Sequence, residues 1–280
     1  MSQNDSTHPY LLGHSAHEMD RLMAQARQID PITRRFFVAA GITAGMRVLD
    51  VGSGAGDTAF LAAELVGRSG EVVGVDRAEN AVATATARAR SMSLDHVSFR
   101  AGDPAQMEFE RPFDAVLGRY VLQFQPDPAA MLRRLAAQVR PGGVVVFHEL
   151  DWGGCSSFPP APLYDRACAW GMETLRRHGT EHRMGIKLHA TFVAAGLPAP
   201  QLRLEALLGG GENSAVVLHK ITDILTTMLP ETERLGVATA AEIGLDTLFE
   251  RMMAEGVAHR SVFTSHHQVG AWVRVGAPAS

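Results

Sequence analysis

The chain has 280 residues, 46% of them hydrophobic and 20% charged, which is enough to bury a sizeable core and too long for a peptide-sized module. Twenty-six Lys and Arg against 30 Asp and Glu leave a net charge of −4, arguing against a broad nucleic-acid or anionic-membrane surface. The two cysteines, Cys155 and Cys168, lack partners at metal-ligand spacing, so neither a disulfide framework nor a bound metal is expected, and a reducing cytoplasmic setting fits.

From the amino end, residues 1 to about 8 read as a polar tail without the basic-then-apolar pattern of a secretory leader, and no run of apolar residues is long enough for a membrane span. Met19, Leu22, Met23, Ala26 and Ile29 recur at helical spacing. Asp30-Pro31 then offers a cap and a first-turn proline for a second helix through Ala40. Residues 1–46 are thus expected to form a helical cap, with Tyr10 a candidate to close over a ligand.

Between Arg47 and Glu149, short β-branched runs alternate with helical patterns, the signature of βαβ units and a parallel sheet. Strands are expected at 47–51, 71–76, 97–101, 113–118 and 144–149, with helices near 57–66, 79–91 and 127–139. Asp127 and Pro128 start the last helix, and Pro141-Gly142-Gly143 is expected to end it.

After Glu149 comes a Gly/Ser/Pro-rich stretch from Gly153 to Pro162, then helices near 163–178 and 187–195. Strands are expected at 201–208 and, longer, at 261–275, the last one antiparallel. Between them, Val217, Ile221, Ile224, Leu225 and Met228 form one helical stripe and Leu245, Leu248, Phe249, Met252 and Met253 another. Such stripes are usually core, yet an insertion over about 210–256 at the end of a sheet is also where a lid belongs. The division is therefore a cap over 1–46, a ligand-binding core over 47–150, and acceptor-side helices with completing strands over 151–280.

The segment richest in chemistry is Val48-Leu49-Asp50-Val51-Gly52-Ser53-Gly54-Ala55-Gly56-Asp57, a hydrophobic strand running into three alternate glycines and a helix. Glycines at such a turn permit left-handed backbone and let a ligand approach amides that point at it from a helix start. Asp76 ends the next strand, where a carboxylate can hold ribose hydroxyls.

The spacing is Gly-x-Gly-x-Gly, shorter than the dinucleotide fingerprint, with Asp50 inside the strand before it. In this the chain resembles the class I S-adenosylmethionine-dependent methyltransferases, in particular small-molecule enzymes of the ubiquinone-biosynthesis type. The resemblance covers 47–150 well and 210–256 hardly at all. It implies an α/β Rossmann-like sheet, mostly parallel with the last strand antiparallel, and S-adenosylmethionine as cofactor with S-adenosylhomocysteine as product. It also implies that Gly52, Ser53, Gly54 and Gly56 pass under the methionine part, with Asp50 reaching its ammonium. By the same resemblance Asp76 takes the ribose, Asp103 faces the adenine amino group, and Gly102, Arg77 and Pro104 help wall the ring. Gly118 and Arg119, after the fourth strand, face the cofactor as well.

Acceptor-side candidates lie beyond the carboxyl ends of strands four and five: Tyr120, Gln123 and Phe124, then Asp151 and Trp152. His148 and Glu149 are candidates for a base. Adjacent strand residues point to opposite faces, so one of the two is expected to face the site, with Glu149 the first choice. The expected reaction is methyl transfer to a small, largely apolar metabolite of the kind made in secondary metabolism, the acceptor atom being open. A repurposed S-adenosylmethionine-binding protein and, further off, a nicotinamide-dependent oxidoreductase are the alternatives. No nucleic-acid or membrane partner is expected, and a homo-oligomer is compatible with the sequence.

Overall fold

Valine-rich runs and intervening helices close into a single large sheet in the computed structural model, which describes residues 16–276, with side chains from Gln28 onward. In chain order come α1 (Ala16–Ala40), β1 (Arg47–Val51), α2 (Asp57–Val66), β2 (Glu71–Asp76), α3 (Glu79–Ser91), β3 (Val97–Ala101), β4 (Phe113–Arg119), α4 (Pro128–Ala136) and β5 (Val139–Asp151). There follow β6 (Ser156–Phe158), α5 (Pro162–His178), α6 (Met184–Ala194), β7 (Gln201–Glu205), β8 (Leu208–Gly210), α7 (Ala215–Arg234), α8 (Ala240–Ile243), α9 (Leu245–His259), β9 (Val262–Thr264) and β10 (His267–Arg274). The large sheet has the order β3-β2-β1-β4-β5-β10-β7. Strands β1 to β5 are parallel to one another, and β10 lies between β5 and β7, antiparallel to both. This is the α/β Rossmann-like sheet expected from the sequence, with its antiparallel last strand inserted next to the edge.

Burial on both faces explains why the central strands read as continuous apolar runs rather than alternating ones. On one face, Met131, Leu132 and Leu135 of α4 and Leu188 and Phe192 of α6 pack on Val116, Val145 and Phe147. On the other, Phe37 of α1, with Ala59, Phe60 and Ala63 of α2, covers Val48, Val72 and Val146. A third core joins α5, α7 and α9 to the carboxyl end of β5 through Trp152, Tyr164, Leu225, Met252 and Phe263. The segment expected as a lid is therefore a packed helical layer that shares its core with its neighbours.

Four expectations are corrected at element boundaries. The two amino-terminal helices are one, because the Asp30 carboxylate accepts from Arg119 Nη1 at 2.7 Å instead of capping a new helix, and Pro31 lies inside α1. Pro141-Gly142-Gly143 does not end α4, which stops at Ala136; it forms an irregularity within β5, with Gly142 at φ 77° donating its N–H to the Val275 carbonyl. The strands expected at 201–208 and 261–275 each break in two, because the chain leaves the large sheet for a small one ordered β6-β9-β8. Ser265 marks this change of sheet, its N–H bonded to the Leu207 carbonyl. Tyr10 lies outside the described residues. No described helix is long and apolar enough to cross a membrane.

Candidate active site

The parallel strands deliver their carboxyl ends to one edge, and the turn after β1 is the tightest feature there. Gly52, Gly54 and Gly56 adopt φ of 64°, 52° and 94°, values that L side chains rarely take. A Cβ at Gly52 would lie 2.8 Å from Val121, and one at Gly56 2.8 Å from the Phe60 ring, so packing also requires glycine at these two positions. At Gly54 an added Cβ would meet nothing within 4 Å. Gly56 leads into α2 without a side-chain cap.

Asp76, at the end of β2, ties this loop to the next turn: its Oδ2 accepts from Gly54 N at 2.8 Å and its Oδ1 from Ala78 N at 2.9 Å. Beneath the loop, Asp50 is 0% exposed, and neither of its carboxylate oxygens has a hydrogen-bond partner. Burial pushes its pKa well above the usual carboxylate range, an effect opposed by the Arg119 charge and, more weakly, by the Ala59 N–H at the start of α2. Ser53 Oγ, also buried, is likewise without a partner. An orphaned carboxylate under a glycine cradle fits a ligand that carries a cation and hydrogen-bond donors.

After β3, Asp103 closes its own turn by accepting from Ala105 N at 3.0 Å and pairs with Arg77 at 2.8 Å. Gly102 places its N–H on the Asp76 carbonyl at 2.9 Å, and Pro104 is buried beside them. Gly118 is held small by the Phe147 ring, 2.6 Å from where a Cβ would stand.

The acceptor-side candidates divide by face. His148 lies on the α1 side, with Nε2 2.8 Å from Gln268 Oε1 and Nδ1 3.1 Å from Thr33 Oγ1. An Nε2–H tautomer that donates to Gln268 satisfies both contacts, and burial keeps the ring pKa well below its usual value. The Tyr120 hydroxyl donates to the same Gln268 oxygen at 2.5 Å, and Arg119 extends the network by donating to Thr33 and Asp30. Tyr120 itself sits at φ 60°, a left-handed conformation uncommon for a large residue and one that clusters at functional loops.

Glu149, on the opposite face, is fully buried. Its Oε1 accepts from Val121 N at 2.8 Å and Leu122 N at 2.7 Å, so it holds the turn after β4. Burial pushes its pKa up to about 8 against the pull of those amides. Asp151 clamps the start of α6 through Arg183 at 2.6 Å and Ile186 N at 3.2 Å. Gln123 is buried within the turn after β4, with Phe124 beside it. Trp152 stacks on His266, ring centroids 5.2 Å apart.

A family model described as a methyltransferase domain matches residues 42–177, the span that carries β1 to β5 and every feature of the glycine turn. Residues 42–177 are thus similar to a methyltransferase domain. Over 180 residues the chain is 35% identical to nocamycin O-methyltransferase of Saccharothrix syringae, an alignment covering 64% of this chain and 58% of that relative. It is 34% identical over 128 residues to demethylmenaquinone methyltransferase of Lactococcus lactis, covering 45% and 48%. The chain spans about half the length of the curated relatives it matches. Phosphoethanolamine N-methyltransferase 2 of Haemonchus contortus, solved with S-adenosyl-L-methionine, shares the fold at a TM-score of 0.54 and 19% identity, covering 88% of this chain and 52% of that one.

Around residues 42–177 the structure gathers side chains that sequence reasoning missed. Thr33 and Asp30 come from α1, Gln268 and His266 from the β10 region, and Lys220 from α7. Lys220 had a readable signal: it occupies a slot of the apolar stripe of α7, three residues after Val217 and one before Ile221, where an exposed lysine does not belong. The others are brought in by long-range contacts that no local pattern announces.

Proposed function

We propose that the protein transfers a methyl group from S-adenosylmethionine to a small, largely apolar acceptor. The observation that carries this reading is the buried, unpartnered Asp50 carboxylate beneath the open Gly54. When bound, the cofactor supplies an electrophilic methyl group on a positively charged sulfur. Asp50 and the Gly52–Gly56 loop would hold the methionine end, with Ser53 Oγ a further polar contact there. Asp76 has lone pairs left after its two amide bonds and would take ribose hydroxyls. Arg77, Gly102, Asp103 and Pro104 would wall the base. Gly118 would let the chain pass close to the cofactor, and Arg119, anchored on Asp30 and Thr33, would fix the turn that presents Tyr120.

For the acceptor, the reading rests on aromatic and apolar surface from Tyr120, Phe124, Trp152 and the α7 layer. Its class follows from that surface and from relatives named for demethylmenaquinone and nocamycin. His148 serves best as a positioning group, since both ring nitrogens are committed, and Glu149 as the support of the Val121–Leu122 turn. A soluble small molecule in the cytoplasm suits the composition, with neither nucleic acid nor membrane as partner.

Calorimetric titration with S-adenosylhomocysteine, followed by transfer of labelled methyl across a panel of phenols, quinones and polyketide acids, tests the proposal. The expected result is saturable nucleoside binding, with stabilisation of about 2.7 kcal/mol at a ligand concentration of 100 Kd, and label on at least one acceptor class. Nucleoside binding with no transfer to any class would favour the repurposed binding protein. No nucleoside binding would sink both readings.

A further inference from the structure

Lys220 is only 3% exposed, and its Nζ has neither a hydrogen-bond partner nor an ion-pair partner among the described residues. His266, 0% exposed, has no partner at either ring nitrogen and lies flat against Trp152, interplanar angle 23°. The Lys220 charge acts on His266 and on His148, and Lys220 in turn feels Cys155 and Arg119. His266 directly precedes β10, whose first residue pairs with Asp151 at the end of β5, and it stacks on Trp152, so these groups gather where β4 and β5 end and β10 begins.

Of the other buried ionisable side chains at that edge, Asp151 is held by Arg183 and His148 by Thr33 and Gln268, while Glu149 gives Oε1 to two amides that fix the turn after β4 and keeps Oε2 without a partner. Asp50 belongs to the cofactor side. An unpaired buried ammonium is strongly unfavourable, and leucine or methionine would pack the same slot of α7 without that penalty. Burial pulls the Lys220 pKa down to about 7, so an anion beside it would restore its charge. A neutral imidazole adds one N–H donor, and Trp152 and Tyr120 supply aromatic walls.

We propose that Lys220 and His266 form an anion-holding subsite of the acceptor pocket, so that the acceptor is an acidic, largely apolar molecule bound through an ionised oxygen against Lys220 Nζ and the His266 N–H. This rests on the methyl-transfer reading for its purpose, though not for its test. The oxygen is a carboxylate or an acidic enol or phenol, which share this chemistry.

The experiment compares the binding of 2-naphthoate, its neutral isostere 2-naphthamide and the weaker acid 2-naphthol by calorimetry, with and without saturating S-adenosylhomocysteine. The proteins are the wild type, Lys220→Met, Lys220→Gln and His266→Phe. Wild type should prefer naphthoate to naphthamide by tenfold or more. Both Lys220 variants should lose that preference while keeping nucleoside affinity within twofold and a melting temperature equal to or above the wild type's. His266→Phe, which can keep the stack on Trp152, should weaken the preference at least threefold. Naphthol binding that rises with its ionisation at high pH in His266→Phe, and in no Lys220 variant, would mark an enol or phenol acceptor rather than a carboxylic acid; either result supports the subsite. No preference in wild type, or a preference that survives both Lys220 substitutions, overturns it. Failure of the nucleoside to bind wild type would sink the methyl-transfer reading alone, because the naphthoate comparison is also run without nucleoside.

Discussion

Asp76 does two jobs with one carboxylate, since it fixes the glycine loop and the start of α3 through Gly54 N and Ala78 N. Asp76→Ala should therefore weaken S-adenosylhomocysteine binding by about 1.5–3 kcal/mol, the range for hydrogen bonds to a charged group, as read by calorimetric titration. Gly54→Val separates two causes that coincide at Gly52 and Gly56. Its Cβ meets no protein atom within 4 Å, so the variant should fold with a backbone penalty of about 1–2 kcal/mol at its φ of 52° and yet lose detectable nucleoside binding. A Gly54→Val protein with wild-type affinity would reduce the loop to a tight turn. Glu149 has a pH signature of its own. Its folded pKa of about 8 lies above its unfolded value, so its contribution to stability is fully present below about pH 4.5 and is lost as pH rises towards 8. Glu149→Gln removes that titration. Denaturant unfolding should show the wild type losing stability relative to the variant between pH 5 and 8, then a constant difference. A base in methyl transfer would instead show a roughly 10²–10⁴-fold fall in kcat in the same preparation. At this scale the sequence disclosed which acids stand at strand ends, because strand position is a local property. It did not disclose that Glu149 would be taken by two amides, because that depends on how the turn after β4 folds back.

Among the elements, the turn-rich half of the chain and the helical half follow different rules. Strands β1, β2 and β3 and helices α2 and α3 were legible to the residue, since apolar runs and helical patterns alternate there and glycines or acids mark most of their ends. Where reading failed, a tertiary partner had overridden a local signal: Arg119 drew Asp30 away from capping, and Leu207 and Ser265 pulled their segments into the small sheet. The α7 layer shows the same principle in its packing. Leu225 is 0% exposed in a core that also holds Trp152, Tyr164 and Phe263, so Leu225→Ala should cost about 2–5 kcal/mol. Thermal unfolding gives that number. Nucleoside affinity measured well below the transition should stay near the wild-type value, because the glycine loop, Asp50 and Asp76 belong to other elements. A large loss of nucleoside affinity in a folded Leu225→Ala protein would mean that α7 supports the cofactor side as well. Removing 210–256 outright is a poor test of a lid, since it strips the shared core.

For the whole molecule, the parallel core over 47–151 and its glycine turn are local enough to read, whereas the buried polar side chains gathered beside them, Thr33, Lys220, His266 and Gln268, come from α1, α7 and the β10 region across most of the chain. Strand β10 makes the point most sharply. It pairs Arg274 with Val144 and His267 with Asp151, and so fills the gap between β5 and β7. During synthesis, roughly 120 residues, or about 6–24 seconds at ordinary elongation rates, separate the emergence of β5 from that of its partner. Throughout that interval β5 offers a long, apolar, unsatisfied edge, the kind of template on which chains pair wrongly. A chain stopped after Arg260 should keep its glycine loop and its first five strands and still collect in the insoluble fraction. Supplying residues 261–276 as a separate peptide during refolding should recover soluble protein. The nascent polypeptide is thus most exposed to misassembly late, after the ligand-binding half is already made, and that is the window in which a chaperone has most to contribute.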